Sequence, residues 1–389
     1  RDEAFYEEKE LTDGEGGIKL SPQGTPVEWT VEENWRFKLS KYQQPLLDYY
    51  AAHPDFIQPD SRRNEVIRFV EGGLQDLSVS RTSFDWGVKV PGSEGHVMYV
   101  WVDALTNYLT GLGYPDDTEM WRKFWPASLH LIGKDIVRFH AVYWPAFLMS
   151  AGLPLPRQVF GHGFVLARDG TKMGKSAGNA ADPLELADKY GVDALRYFLL
   201  REVSFGQDGT YSAEAIVTRY NAELANSFGN LAQRVLSFIA KNLPEGLPLG
   251  GEQEEVDGDL LETVSTACGV EFPRAFNSLA LSQGIEAWLR AVFACNQYVD
   301  VQAPWTLRKT DPDRMAVVLK TLVRCIRDLA LAIQPVIPAT ASKLLDQMGI
   351  PTDQRSFATL SDAEWVSSMR LNQPSGVFPR LEMPLEASV

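Results

Sequence analysis

The sequence predicts an α/β fold followed by an all-α helical bundle, and three observations carry that expectation. Residues 97–166 alternate strand and helix patterns, the order of a parallel sheet. From Ser212 onward, apolar residues recur almost entirely at helical spacing. A chain of 389 residues is also too long for one ordinary core, so two or more domains are expected.

Taken in order, residues 1–96 mix Gly/Pro turns with short helical patterns, clearest at Phe37–Leu47 and Asn64–Val70. Strands are expected at Val97–Val102, Ser128–Ile132 and Gln158–Phe160, with helices near 103–112 and 135–151. Val159–Leu166 reads as strand and turn. A glycine-studded loop follows, then a short helix with Asp182 as N-cap and Pro183 at its first position, then a polar connector ending at Tyr211. Within 224–239, Leu224, Phe228, Leu231, Ala232, Val235, Leu236 and Ile239 form one apolar stripe. Further helices fit 272–299 and 312–333, with another after Pro338, and Gly250–Gly251 with their acidic neighbours mark a loop. The expected domains are 1–96, 97–211 and 212–389.

Hydrophobic content of 45% and charged content of 23% describe a soluble globular protein. No stretch approaches the roughly 18 uninterrupted apolar residues of a membrane helix. The net charge of −14 argues against a protein that coats nucleic acid non-specifically, although a local basic stripe remains compatible with it. Cys268, Cys295 and Cys325 lie widely spaced on apolar helical stretches, as buried free thiols of a reducing compartment would. No C-x-x-C pair exists, which removes the usual structural zinc site.

The most informative stretch is Gly170-Thr-Lys-Met-Gly-Lys-Ser-Ala-Gly-Asn179, with Lys172 and Lys175 three residues apart. Small residues let its backbone approach a polyanion, and two ammonium groups suit a triphosphate whose charge must be held while it breaks apart. An isolated K-x-x-K is more often a solvated hairpin tip. Upstream, Gly133 turns a short apolar strand into a helix, and such turns at the carboxyl edge of a parallel sheet are where α/β folds bind nucleotides. Asp135 there is equally an acceptor for ribose hydroxyls or a plain N-cap, and Lys134 is placed near phosphate or carboxylate. Ile136, His140 and Trp144 share one helix face, a pattern of core as readily as of a pocket. Arg81 reads from its own segment as a surface arginine or a partner of Asp85. The polar face of the helix 224–241 carries Asn226, Asn230, Arg234 and Lys241. A solvated face looks the same, yet amide and guanidinium groups are what read unpaired bases. Pro304 breaks the preceding helix, leaving Trp305 at a junction as a stacking platform or a core anchor.

Lys172-Met-Gly-Lys-Ser176, with Ala177-Gly-Asn179 and Asp182-Pro183 after it, resembles the K-M-S-K-S loop of class I aminoacyl-tRNA synthetases, with Gly174 in place of the central serine. Tyr99-Val-Trp-Val-Asp-Ala-Leu-Thr-Asn-Tyr108, His130–His140 and Ala303-Pro-Trp305 resemble methionyl-tRNA synthetases, and the resemblance runs along the whole chain. It implies a partial Rossmann-like parallel sheet with an inserted connective domain (residues 1–96 being its distal part), followed by an anticodon-binding bundle. It implies ATP with Mg2+ as substrate, bound by Gly133, Lys134, Asp135, Lys172, Met173, Lys175 and Ser176, with Lys172 and Lys175 catalytic. Methionine would lie against Trp101, Ala104, Tyr108, Ile136, His140 and Trp144, with Arg81 supporting the active site. Leu105 stands where some relatives carry proline. Asn230, Arg234 and Trp305 would read the anticodon of tRNA(Met).

Knuckles that often carry zinc in this family would fall near residues 1–29. Here that region has no cysteine, so no structural zinc is expected. The family's H-x-G-H motif does not occur in the 389 residues. The chain therefore reads as the C-terminal portion of a cytoplasmic, monomeric methionine–tRNA ligase, not expected to activate methionine unaided. Two alternatives stay open: a class I synthetase for another amino acid, or a non-catalytic tRNA-binding fragment.

Overall fold

The computed structural model describes residues 6, 8–22, 24–29, 33–173, 181–247, 251–361 and 371–383. It divides into two compact units, Arg1–Gly161 and His162–Val389.

The first unit opens with a ribbon of β1 (Thr12–Asp13) and β2 (Lys19–Leu20), paired antiparallel. After β3 (Arg36–Phe37) come α1 (Gln43–Ala52), β4 (Ile57–Gln58) and α2 (Asp60–Glu71). The expected helical pattern at 37–47 is therefore half strand and tight turn, and its helix begins only at Gln43. Next are β5 (Leu77–Ser78), β6 (Ser80–Arg81) and β7 (Val97–Met98), then α3 (Val100–Thr110) and α4 (Glu119–Phe124). β5 pairs with β3, and β6 with β7. Strand β8 (His130–Gly133) leads into a 3-10 turn at Lys134–Ile136 and a π-helical turn at Phe139–Tyr143. Then come α5 (Trp144–Ala151) and β9 (Val159–His162), within which the unit ends at Gly161. Its sheet has the order β4-β9-β8, with β4 and β9 parallel. A core of Leu39, Leu46, Tyr50, Val66, Val70, Val142 and Val159, among others, packs α1, α2 and the π turn against this sheet.

The expected strand Val97–Val102 is corrected: pairing ends at Met98, and a helix takes over at Val100. A short β-branched apolar run does not distinguish a strand from a buried helix. Here Val102 and Asp103 donate backbone bonds back to the Tyr99 carbonyl, Asp103 complements the helix N-terminus, and Leu105 and Leu109 bury one face.

In the second unit, β10 (Val165–Leu166) pairs in parallel with β11 (Gly209–Thr210). Between them lie α6 (Pro183–Tyr190) and α7 (Val192–Arg201). Asp182 caps α6 by accepting from the Leu184 amide at 2.8 Å, with Pro183 at the first position, as the sequence predicts. Then follow α8 (Ala213–Arg219), a ten-residue π-helical stretch (Tyr220–Gly229), α9 (Asn230–Asn242), α10 (Glu255–Thr266), α11 (Phe272–Asn277) and α12 (Leu281–Gln302). The last helices are α13 (Pro304–Thr310), α14 (Pro312–Ile333) and α15 (Pro338–Gln347).

The predicted stripe from Leu224 to Ile239 is buried throughout, around Trp288 and the apolar face of α14. The single helix expected over 272–299 is divided at Leu279, whose φ of 60° no α-helix accommodates. α10 went unread because its capping box pairs Glu254 with Asp257, two residues that look like acidic loop in sequence. All three cysteines are buried free thiols, as expected. No described helix is long and apolar enough to cross a membrane.

Candidate active site

In the first unit, α3 and the turn after β8 face each other across a cluster of rings. Trp101 stacks on Phe139 with centroids 3.9 Å apart and planes 13° from parallel, and meets His140 edge-on at 6.1 Å. Tyr108 lies 6.2 Å from Trp144, and Trp144 meets Trp125 edge-on at 6.1 Å. Ile136 is half-buried, and Ala104 sits exposed on α3 between the two aromatic positions. A π-helical turn spans 139–143 and is closed by Trp144 donating to the Phe139 carbonyl. From it His140 and Trp144 both face Tyr108, while Phe139 lies against Trp101.

His140 is the polar centre of the cluster. Its Nδ1 lies 3.0 Å from the Ile136 carbonyl, which can only accept, so Nδ1 carries the proton. Nε2 is then an acceptor, and the Tyr108 hydroxyl donates to it at 2.9 Å. Burial lowers the pKa of His140, against the opposing effect of the Ile136 carbonyl, so the ring is neutral near pH 7. His130, first residue of β8, stacks obliquely on Tyr108 at 4.3 Å. Burial, and next the proximity of His140, push its pKa down to about 4, and its Nε2 is buried with no partner. The arrangement is an uncharged aromatic cluster with one oriented hydroxyl–imidazole pair. It favours a polarizable apolar group and penalises a charged one. Sequence reasoning missed Phe139, His130 and Trp125. Phe139 falls off the four-residue stripe, and the other two lie outside it altogether.

At the end of β8, Gly133 caps the 3-10 turn without a side-chain bond, and Asp135 sits inside that turn with its side chain exposed. The N-cap alternative for Asp135 is therefore set aside. A Cβ on Gly133 would come within 2.6 Å of Asp135 Oδ1, so glycine is what lets this carboxylate fold back over the strand end. Lys134 is half-buried beside it. Arg81 is not the surface arginine its segment suggests: it is buried, donates to Ser78 Oγ and to the Ser80 carbonyl, and lies 4.3 Å over the Tyr99 ring.

In the second unit, Lys172 bridges back to Leu166, and its Nζ lies 4.1 Å over the Phe164 ring. The hairpin leading there is tight: Ala167 donates to the Thr171 carbonyl at 2.8 Å, and Gly170 takes φ +80°. Met173 is half-buried, while Gly174, Lys175 and Ser176 lie outside the described residues. Asn230, Arg234 and Trp305 come to one side of the bundle. The Arg234 guanidinium lies 4.9 Å over the Trp305 ring and donates to Asp300 at 2.7 Å, an acidic partner that nothing in the local pattern announces. Trp305 is 40% exposed. Asn230 lines a cleft of about 420 Å³ with Asn226, Gln233 and Arg380.

Two family models match the chain: "tRNA synthetases class I (M)" over residues 4–236 and "Anticodon binding domain of methionyl tRNA ligase" over 247–377. The chain is 54% identical over 380 residues to the methionine–tRNA ligase of Brucella suis, covering 98% of this chain and 73% of that one. It is 53% identical over 386 residues to that of Rhizobium meliloti, covering 99% and 74%. Among solved structures, Mycobacterium tuberculosis methionyl-tRNA synthetase in complex with methionyl-adenylate superposes with a TM-score of 0.91 at 52% identity, over 97% of this chain and 75% of that one. The apo form of the same enzyme gives 0.89 at 51%, over 98% and 75%. With two family models across most of its length and relatives above 50% identity, the chain belongs to the methionyl-tRNA synthetase family.

Proposed function

We propose that the intact gene product is a methionine–tRNA ligase, and the neutral Tyr108–His140 pair within an aromatic cluster of this chain is the observation that supports this best. An unbranched thioether is polarizable and prefers ring contacts to charge, so such walls fit methionine better than a polar or branched side chain. Trp101, Ala104, Tyr108, Ile136, His140 and Trp144 hold the methionine side chain. Gly133, Lys134 and Asp135 receive the nucleotide, with the Asp135 carboxylate accepting from ribose hydroxyls.

A methionine carboxylate oxygen attacks the α-phosphorus of ATP, the bond to the β-phosphate oxygen breaks, and pyrophosphate leaves. A terminal ribose hydroxyl of tRNA then attacks the adenylate carbonyl carbon, and AMP departs. No side chain forms a covalent intermediate, so catalysis is positioning plus electrostatics. Lys172 and Lys175, with Met173 and Ser176 in the same loop, stabilise charge developing on the pyrophosphate. ATP enters as its magnesium complex, whose hard cation is held largely by phosphate oxygens and water. Arg81, packed on Tyr99 just before α3, keeps the start of that helix in place. Asn230, Arg234 and Trp305 read the anticodon. The reading needs no structural zinc, since every cysteine is buried in the helical bundle, and it takes the protein as a cytoplasmic monomer.

Methionine-dependent ATP–pyrophosphate exchange by the intact gene product tests the proposal. Exchange driven by leucine or cysteine instead would assign it to another class I specificity. tRNA binding with no exchange at all would make the protein a non-catalytic binder.

A further inference from the structure

The corner that presents Trp305 is built at unusual cost. α12 ends at Gln302, α13 begins at Pro304, and the residue between them, Ala303, adopts φ 41° and ψ 63°. A side chain in this left-handed region is strained and persists only where its surroundings over-determine it. Ala303 is held from within by its own amide bonding to the Val299 carbonyl and by Thr306 donating to its carbonyl at 2.8 Å.

The hold from outside comes from Arg314, in the first turn of α14. Its guanidinium grips Asp257 with two bonds of 2.5 and 2.8 Å. Asp257 is fully buried and also accepts from the Tyr298 hydroxyl and the Glu254 amide. Glu254 adds a second carboxylate 3.4 Å from Arg314, and Asp311 caps α14 at the Arg314 amide. With its position and charge so fixed, the same Nη2 donates at 2.9 Å to the Gln302 side-chain oxygen, one residue before the corner. The far end of α13 is tied separately, by Arg308 donating to Asn242 at the end of α9.

We propose that Arg314 is a positioning residue for RNA recognition: acting through Gln302, it locks the Ala303 corner and so aims Trp305 and the guanidinium of Arg234 at an unpaired base. This rests on the proposed role of Trp305 in reading tRNA. A rigid planar fork suits the task, since it can satisfy a buried carboxylate and still direct one donor at a neutral amide.

The test is steady-state aminoacylation with varied tRNA by the intact gene product. Stacking of one base on an aromatic ring contributes about one to two orders of magnitude in affinity. Gln302→Leu, which frees the corner but leaves the Arg314–Asp257 pair, should raise the tRNA KM about tenfold with kcat within about twofold. Gln302→Glu still accepts from Arg314 and should restore the KM to within about threefold. An unchanged KM in Gln302→Leu, or a Glu variant as impaired as the Leu one, overturns the proposal. Trp305→Ala runs in parallel. If it too leaves the KM unaltered, the reading of Trp305 itself fails; if it raises the KM while Gln302→Leu does not, only the role of Arg314 fails. Should Gln302→Leu not fold, Ala303→Gly carries the test. It removes no hydrogen bond and relieves the strain, so thermal stability should hold or rise while the KM climbs several-fold. An unchanged KM there overturns the proposal equally.

Discussion

Removing one oxygen atom from the aromatic cluster tests its proposed chemistry most directly. Tyr108→Phe keeps the ring that touches His130, His140 and Trp144 but deletes the hydroxyl that donates to His140 Nε2 at 2.9 Å. The imidazole cannot compensate by moving its proton to Nε2, because Nδ1–H is committed to the Ile136 carbonyl. Nor does protonation offer relief near neutral pH, since burial lowers the pKa of His140. The variant therefore leaves a buried acceptor without a donor, which costs about 1–3 kcal/mol. Ground-state order in the cluster is what suffers, so the loss should appear as a rise of about 5- to 150-fold in the methionine KM for pyrophosphate exchange. The KM for ATP should stay within about twofold. A double-mutant cycle with His140→Ala should then give a coupling of about 0.5–1.5 kcal/mol. Wild-type methionine KM in a folded Tyr108→Phe protein would refute the reasoning, as would strict additivity in the cycle.

Four further outcomes are expected. His130 has a folded pKa of about 4 against an unfolded value of 6.5, so the unfolded state binds more protons between those limits. Its neutral burial costs nothing above pH 6.5, and stability falls as pH drops toward 4, by up to about 3 kcal/mol from this group. His130→Phe should flatten the thermal stability profile across that window relative to wild type, and parallel profiles would dismiss the assignment. Lys172→Gln should slow adenylate formation by about 10²–10³-fold in single-turnover measurements, with little change in methionine affinity. Gly174→Ser should change that rate little, and a rise of orders of magnitude would show that glycine is not tolerated there. Gly133→Ala meets only the far end of the Asp135 side chain, at 2.6 Å, so melting temperature should barely move while the ATP KM rises several-fold. An unaltered ATP KM would remove Asp135 from the nucleotide site.

Much of this was legible in the chain itself. The periodicity of 312–333 predicts α14 to the residue, and Asp182-Pro183 announces the start of α6, because caps and helical faces are written in residues a few positions apart. The stripe of Ile136, His140 and Trp144 was equally plain, as were Asn230 and Arg234 four apart on α9. What each stripe would meet was not. Phe139, inside the π turn, meets Trp101 of α3, and His130 comes against Tyr108 because β8 begins beside α3. Asp300 reaches Arg234 from a helix 66 positions away in sequence, and Arg314 reaches Asp257 across 57. Local sequence dictates which residues share a face; partners that distant are chosen by how the faces pack. For the same reason Val97–Val102 reads as a strand in isolation, yet pairing ends at Met98 and the helix begins at Val100. Backbone bonds to Tyr99 and the burial of Leu105 outweigh local propensity, and both exist only in the folded chain.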